Sequence, residues 1–346
     1  MLFEMSCKKL NPDIDRSITL EKYTEIWLQT IAPDKLAKST LVREKQDIER
    51  FKPYLGSYKL ADLRPEHFRS LYTKLRQQKN KATGKPLSEA TVEGVHSCLC
   101  GILSDAMEGG YLDHNPAWRT HKYAGQKKEK KIADDETVKK LIQAPESVSV
   151  LYETYFKLII ATGMRRGELC ALRWSDVIVT GSYEGYIIVQ HSRSTVLGEG
   201  VQEGKTKNGR TRTVSMNEEM FSLLRGFCYR KMRLRDENGV PFPEYIFTKD
   251  DGMPIHPNTF SKHLKALFAE IGLPKSYHLH TLRHFFVSTL LHEGVDKNTV
   301  ADLAGHGDTS FLERTYCHPQ MQLKQEAAKR MSNSLFAAPN PELLVS

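Results

Sequence analysis

Thr162-Gly163-Met164-Arg165-Arg166-Gly167-Glu168-Leu169 decides how the second half of this 346-residue chain is read. It follows an apolar helical run from Tyr152 to Ala161, which breaks at Thr162-Gly163. Glycine lets the backbone turn tightly there. Downstream the pattern changes to short β-branched runs, from Trp174 to Val179, Tyr186 to His191 and Thr211 to Met216. Turns are expected at Gly181-Ser182 and Asn208-Gly209. After Pro257 the pattern is helical to near the end, broken at Gly272-Leu273-Pro274, Gly294 and Gly305. These signals predict a mainly α domain with a small antiparallel β-sheet. Within the opening stretch, Arg165 offers a guanidinium that can fork onto two phosphate oxygens. Glu168, three residues on, is placed to orient it. Taken alone, a surface Arg165–Glu168 pair accounts for the segment better.

The first half is helical throughout. Leu20, Tyr23, Trp27 and Ile31 recur at helical spacing behind Thr19 as a cap. A second helix is expected from about Ser39 to Lys52, with Leu41, Ile48 and Phe51 on one side and Pro53 as its end. Pro65 opens a third, carrying Phe68, Leu71 and Leu75. Residues 80–86 form a loop. Ser88 caps a fourth helix with Val92, Val95, Leu99, Leu103 and Ala106 inward, stopped at Gly109-Gly110. Four helices without a strand signal make a small bundle over residues 19–120, behind a short arm at 1–18. Lys122, Lys127, Lys128, Lys130 and Lys131 then crowd around Gly125, which reads as a basic linker over 121–131. Its charge suits a segment lying along a DNA backbone.

The net charge is +8 and the pI is near 9.0. Both favour a polyanionic partner, because lysine and arginine release condensed counterions when they neutralise phosphates. Charge alone equally fits a basic soluble protein. The six cysteines are scattered, which suits reduced thiols. His96 with Cys98 and Cys100 lacks the spacing of a zinc knuckle. No metal and no cofactor is expected. No apolar run approaches the roughly 20 residues of a membrane span, and the first residues do not read as a signal peptide. The protein is expected to stay in the cytoplasm.

Further candidates for chemistry lie downstream of Arg165. His280-Thr281-Leu282-Arg283-His284 places His280 and Arg283 three apart, on one face if helical. Leu282, Phe285, Phe286 and Leu290 make an apolar face. A histidine satisfied in the core competes strongly for His278 and His284. Lys205 and Lys207 lie in Gly204-Lys205-Thr206-Lys207-Asn208-Gly209-Arg210, the expected turn between strands. Exposed lysines there usually only solubilise; desolvated near arginines, one becomes able to protonate a leaving alkoxide. His306 follows Gly305 in a short turn, and a surface or cap histidine explains it by itself. Tyr316 ends a short helical piece before Pro319. A phenol is a poor nucleophile at neutral pH unless its surroundings activate it.

No single one of these sites exceeds its ordinary explanation, but their order does. Arg165, Lys205, His280, Arg283, His306 and Tyr316, taken with Leu303-Ala304-Gly305-His306 and Thr315-Tyr316-Cys317-His318, resemble the tyrosine recombinase, or phage integrase, family of mobile elements. That family carries Arg, Lys, His-x-x-Arg, His or Trp, then Tyr. The resemblance implies a helical core-binding domain at 19–120, with its Asn115-Pro116 exit, and a catalytic domain at 132–320. It implies site-specific strand exchange on double-stranded DNA. Tyr316 would form a 3′-phosphotyrosyl bond and Lys205, identified by its Lys-Thr match, would protonate the 5′-hydroxyl. Arg165 and Arg283 would neutralise the non-bridging oxygens. His280 would assist as a base, and His306 would hold an oxygen. The domains would close on DNA as a clamp, in a homo-tetramer on two duplexes, with room for accessory DNA-bending or directionality factors. In the tail, 321–346, Leu323, Ala327 and Met331 recur at helical spacing, and the family suggests docking on a neighbour. A bacterial, nucleoid-associated protein is expected. The alternative is a type IB topoisomerase, which shares the chemistry but needs no synapsis.

Overall fold

Apolar residues at helical spacing build the first of two units. The computed structural model describes residues 15–80, 83–120, 135–143, 149–207, 209–239, 241–274 and 276–305. The expectations for the arm before residue 15, the basic linker, His306, Tyr316 and the tail lie outside these. Among the described residues, one unit takes 15–120 with Val196–Gly200, and the other takes the remainder.

The first unit is α1 (Leu20–Thr30), α2 (Ala32–Lys35), α3 (Lys38–Leu55), α4 (Pro65–Gln77) and α5 (Glu89–Glu108). Thr19 caps α1, its Oγ1 accepting from the Lys22 N–H at 3.3 Å, and Ser88 caps α5, accepting from the Thr91 N–H at 3.2 Å. Trp27, Phe51, Phe68, Leu71, Leu99 and Ile102 fill its core. Each such side chain contributes about 1.5–3 kcal/mol by leaving water. Pro53 does not end α3; the helix continues to Leu55. A proline this late removes one backbone donor, and burying Phe51 and Leu55 on the inward face offsets that loss. Ile18, the last residue of the expected arm, is instead buried in the same core. Asn115 closes the unit. Its side chain donates to the Cys100 carbonyl at 2.9 Å and accepts from the Ala117 N–H at 3.0 Å.

The second unit runs α6 (Asp135–Gln143), α7 (Val150–Thr162), α8 (Arg166–Cys170), β1 (Val177–Val179), β2 (Gly185–Val189), β3 (His191–Val196), β4 (Gly200–Lys205), β5 (Arg212–Met216), α9 (Glu218–Asn238), α10 (Pro257–Glu270), α11 (Leu279–His292) and α12 (Lys297–Ala304). Helix dominates, as expected, with antiparallel order β1-β2-β5 in the main sheet. Ile187 faces Val177 on one side and Val214 on the other. Two details differ from the sequence pattern. Trp174–Asp176 is a 3₁₀ turn, because the Asp176 carboxylate accepts from the Arg173 N–H at 2.9 Å and winds the chain before β1. β3 and β4 pair as a separate two-stranded ribbon; their polar, glycine-containing sequences give no alternation to read. The segment after Lys205 therefore joins strands of two different sheets. Tyr155, Phe156, Phe247, Phe260 and Leu282 form the core, where the Tyr155 and Phe260 rings stack at 3.6 Å between centroids. α11 lies on α7, and that packing brings distant arginines together.

Candidate active site

α7 ends because Gly163 takes a left-handed conformation, φ +59°. A Cβ there would lie 2.3 Å from the Phe286 ring, so glycine is required twice over. Met164 is fully buried and anchors the turn. Arg165 is then the N-cap of α8. Glu168 reaches back to it, its Oε2 accepting from the Arg165 N–H at 2.9 Å and its Oε1 from Arg165 Nη1 at 2.8 Å. Neighbouring Arg166 is committed elsewhere, donating to Asn258 at 3.1 Å and Ser261 at 2.9 Å.

α12 ends on Gly305, φ +64°, again left-handed. Its final carbonyls receive the arginines. Arg165 Nη2 donates to the Gly305 carbonyl at 2.7 Å. Arg283, buried on α11, donates through Nη2 to the Ala304 carbonyl and through Nη1 to the Gly163 carbonyl at 2.7 Å. Residues 120 positions apart are thus joined directly. Arg165 and Arg283, two of the residues singled out by sequence, meet at the turn immediately before His306.

The other candidates are placed as follows. Lys205 ends β4, and both it and Lys207 are exposed. Thr206 between them is buried, its hydroxyl donating to the Arg210 carbonyl at 2.7 Å. Thr206, Arg210, Thr211 and Arg212 line one cavity with Arg165, Asp302 and Gly305. Three guanidiniums against Asp302 and the Glu168 carboxylate that pairs two of them leave a net positive lining that suits an anion. His280 stands in the first turn of α11. Desolvation of its ring, then the positive charge of His278, Arg283, Arg166 and Arg165, pushes its imidazole down to about 4. The residue keeps an exposed face, and it is neutral at neutral pH. His278 is structural: its N–H donates to Thr281 Oγ1 at 3.1 Å as α11 begins. Among the described residues no cluster of His, Cys, Asp and Glu could hold a metal.

One site residue was missed in the sequence. Arg212 is buried on β5, with Nη2 donating to Glu168 Oε2 at 2.7 Å. The signal was its phase, since Arg212, Val214 and Met216 alternate inward along the strand. Burial works to raise the Glu168 carboxyl, but Arg212 and Arg165 outweigh it and hold the group below its ordinary range.

Residues 131–323 match the model of the phage integrase family, and residues 19–76 match that of a phage integrase N-terminal SAM-like domain. The ICEBs1 integrase of Bacillus subtilis is 28% identical over 252 residues, 72% of this chain and 67% of that protein. A tyrosine recombinase XerC-like protein of Caldanaerobacter subterraneus is 25% identical over an alignment covering 94% of this chain and 85% of that one. In fold, the chain is similar to the Tn1549 transposon integrase in complex with transposon right end DNA, with TM-score 0.74, 17% identity, and 91% of this chain and 100% of that one covered. It is also similar to a lambda integrase tetramer bound to a Holliday junction, with TM-score 0.59, 18% identity, and 88% and 84% covered.

Proposed function

The chain belongs to the phage integrase family and is a DNA strand-transferring tyrosine recombinase; from that premise we propose how its residues divide the reaction. Tyr316 attacks the scissile phosphate and becomes joined to it as a 3′-phosphotyrosine. The 5′-oxygen leaves with a proton from Lys205. Arg165 and Arg283 neutralise charge on the non-bridging oxygens, commonly the largest catalytic contribution. His280, held neutral, accepts the phenolic proton, and His306 donates to a non-bridging oxygen. The phosphotyrosine conserves the ester, so a second 5′-hydroxyl rejoins the strand without ATP. The substrate is double-stranded DNA, with four protomers in the working assembly, acting in a bacterial cytoplasm.

The observation that carries this reading is the meeting of Arg165 and Arg283 on adjacent carbonyls, at Gly305 and Ala304. Two guanidiniums from separate helices serve one anion there, next in sequence to His306. The test is covalent capture. The protein is mixed with a random-sequence pool of nicked duplexes, and DNA that stays attached through detergent is recovered and sequenced. The wild-type protein is expected to enrich a defined sequence, and Tyr316→Phe to yield no adduct. An adduct that survives the substitution overturns the assignment of Tyr316.

A further inference from the structure

Arg212 takes no part in the chemistry assigned to Arg165 and Arg283, yet its side chain is only 4% exposed. Enclosing a guanidinium is costly unless it is both paired and hydrogen-bonded. Arg212 satisfies both conditions. Its Nη2 donates to Glu168 Oε2 at 2.7 Å, and its Nε donates to the Leu303 carbonyl at 2.9 Å.

These two contacts lead to the two halves of the site. Glu168 is the carboxylate that also holds Arg165, through the backbone N–H on Oε2 and Nη1 on Oε1. Arg165 engages both oxygens from the N-cap of α8, and Arg212 ties Oε2 to β5 as well, so the carboxylate is anchored to a second element. The Leu303 contact completes a pattern at the end of α12. Three successive carbonyls, of Leu303, Ala304 and Gly305, accept from Arg212, Arg283 and Arg165. The last carbonyls of a helix lack intrahelical donors and carry the negative end of its dipole. Gly305 completes the fit, since a Cβ there would lie 2.7 Å from Arg212 Nη1.

We propose that Arg212 is a positioning residue for DNA strand cleavage, fixing Arg165 through Glu168 and the turn leading into His306 through Leu303. This rests on the reading that Arg165 neutralises the scissile phosphate. Without Arg212, Glu168 keeps one cationic partner and follows Arg165 instead of directing it. The Leu303 carbonyl also loses its donor.

The test uses a nicked duplex recovered by covalent capture on the wild-type protein. It is remade in two forms, one with an ordinary scissile phosphate and one with a methylphosphonate, in which an uncharged methyl replaces a non-bridging oxygen. Single-turnover adduct formation is measured for wild type, Arg165→Ala, Arg212→Gln and Arg212→Lys. Arg165→Ala and Arg212→Gln are each expected to slow cleavage of the phosphate about a hundredfold, and of the methylphosphonate about tenfold or less, because the neutral centre needs less guanidinium. Arg212→Lys keeps the charge but loses the fork, and falls between. Both substrates meet the same protein sample, so the folded fraction cancels in their ratio. Adding Glu168→Gln to Arg212→Gln should cost nothing further. An equal loss on both substrates, an unimpaired Arg212→Gln, or additive losses with Glu168→Gln would each overturn the proposal. If Arg165→Ala itself cleaves the phosphate at the wild-type rate, the reading beneath it fails instead.

Discussion

Both units bury carboxylates, and one from each, Asp47 and Glu168, are treated in opposite ways. Asp47 in the helical bundle is 3% exposed and Glu168 in the second unit is 2% exposed. Burial raises the Asp47 carboxyl, and Arg50, with the more distant Arg43, does not outweigh it. At Glu168 burial pulls the same way, but Arg212, then Arg165 through its backbone N–H and its charge, reverse the outcome. The partners differ too: the Arg50 side chain is 29% exposed, whereas Arg212 is 4% exposed. A single half-exposed cation tolerates a buried acid as a packing feature. Two guanidiniums, one enclosed at Arg212 and one 20% exposed at Arg165, keep the acid ionised, and the acid in turn holds them. The fold tolerates that concentration of charge where an anion is to be handled.

The comparison breaks first, and most severely, at Glu168. Glu168→Gln leaves the enclosed Arg212 and the partly exposed Arg165 without their carboxylate, so a loss of about 3–5 kcal/mol is expected. Asp47→Asn removes a charge that burial already penalises and frees Arg50 toward solvent, so stability at neutral pH should change by less than about 1 kcal/mol. Urea unfolding of both variants reads the difference, and equal losses would erase the distinction. Carboxyl titration by NMR should agree in sign. The stability due to Glu168 is present above its ordinary 4.5 and is lost as pH falls toward the lowered value. For Asp47, whose folded value is raised above 3.8, stability instead declines as pH rises through that window.

Glycines separate the units at the next level of effect. Gly163→Ala forces a side chain into φ +59° and against Phe286. It also disturbs the carbonyl that Arg283 holds. A loss of about 1–3 kcal/mol is expected from the backbone conformation alone, with slower cleavage. Gly101→Ala, inside α5 with nothing near its absent Cβ, should stabilise the bundle by about 0.5–1 kcal/mol. Thermal unfolding gives both signs. A stabilised Gly163→Ala would show that the turn before Arg165 is not constrained.

The same contrast explains what was legible in the sequence. The bundle is a periodicity problem, and Leu20, Tyr23, Trp27, Phe68, Leu99 and Leu103 all lie in its core where 3.6-residue spacing places them. Pro53 misled, because a breaker late in a helix yields to packing on either side of it, and the short α2 and the buried Ile18 gave no periodic signal. In the second unit, the turns at Gly163 and Gly305 were visible as punctuation. α9 was not, since Met220, Leu224 and Phe227 are diluted by basic residues along 21 positions. Arg165 and Arg283 stood out through their motifs. Arg212 did not, because its phase on the strand marks it as inward but not as paired, and its partner Glu168 is 44 residues away in sequence. Pairing between remote segments is a property of packing, and only a resemblance to known chains anticipates it.

His280 supplies the smallest effect and the finest test of how charge is arranged around the arginines. Its imidazole is pushed down to about 4 by desolvation and by the cations near it. The folded protein therefore binds this proton less readily than the unfolded chain, whose histidine titrates near 6.5. Between those values the unfolded state holds more protons, so stability falls as pH drops from about 6.5 toward 4. At pH 7 both forms are neutral and His280→Gln should leave stability almost unchanged. At pH 5 the same substitution should relieve the penalty, so that the variant resists unfolding better than wild type. Unfolding of both proteins at the two pH values, with the His280 ring followed by NMR, measures the effect. A ring that protonates near 6.5 would mean that the ring is hydrated and that the nearby guanidiniums are neutralised by Glu168 and the α12 carbonyls. The field of the site would then be weaker than three gathered arginines suggest.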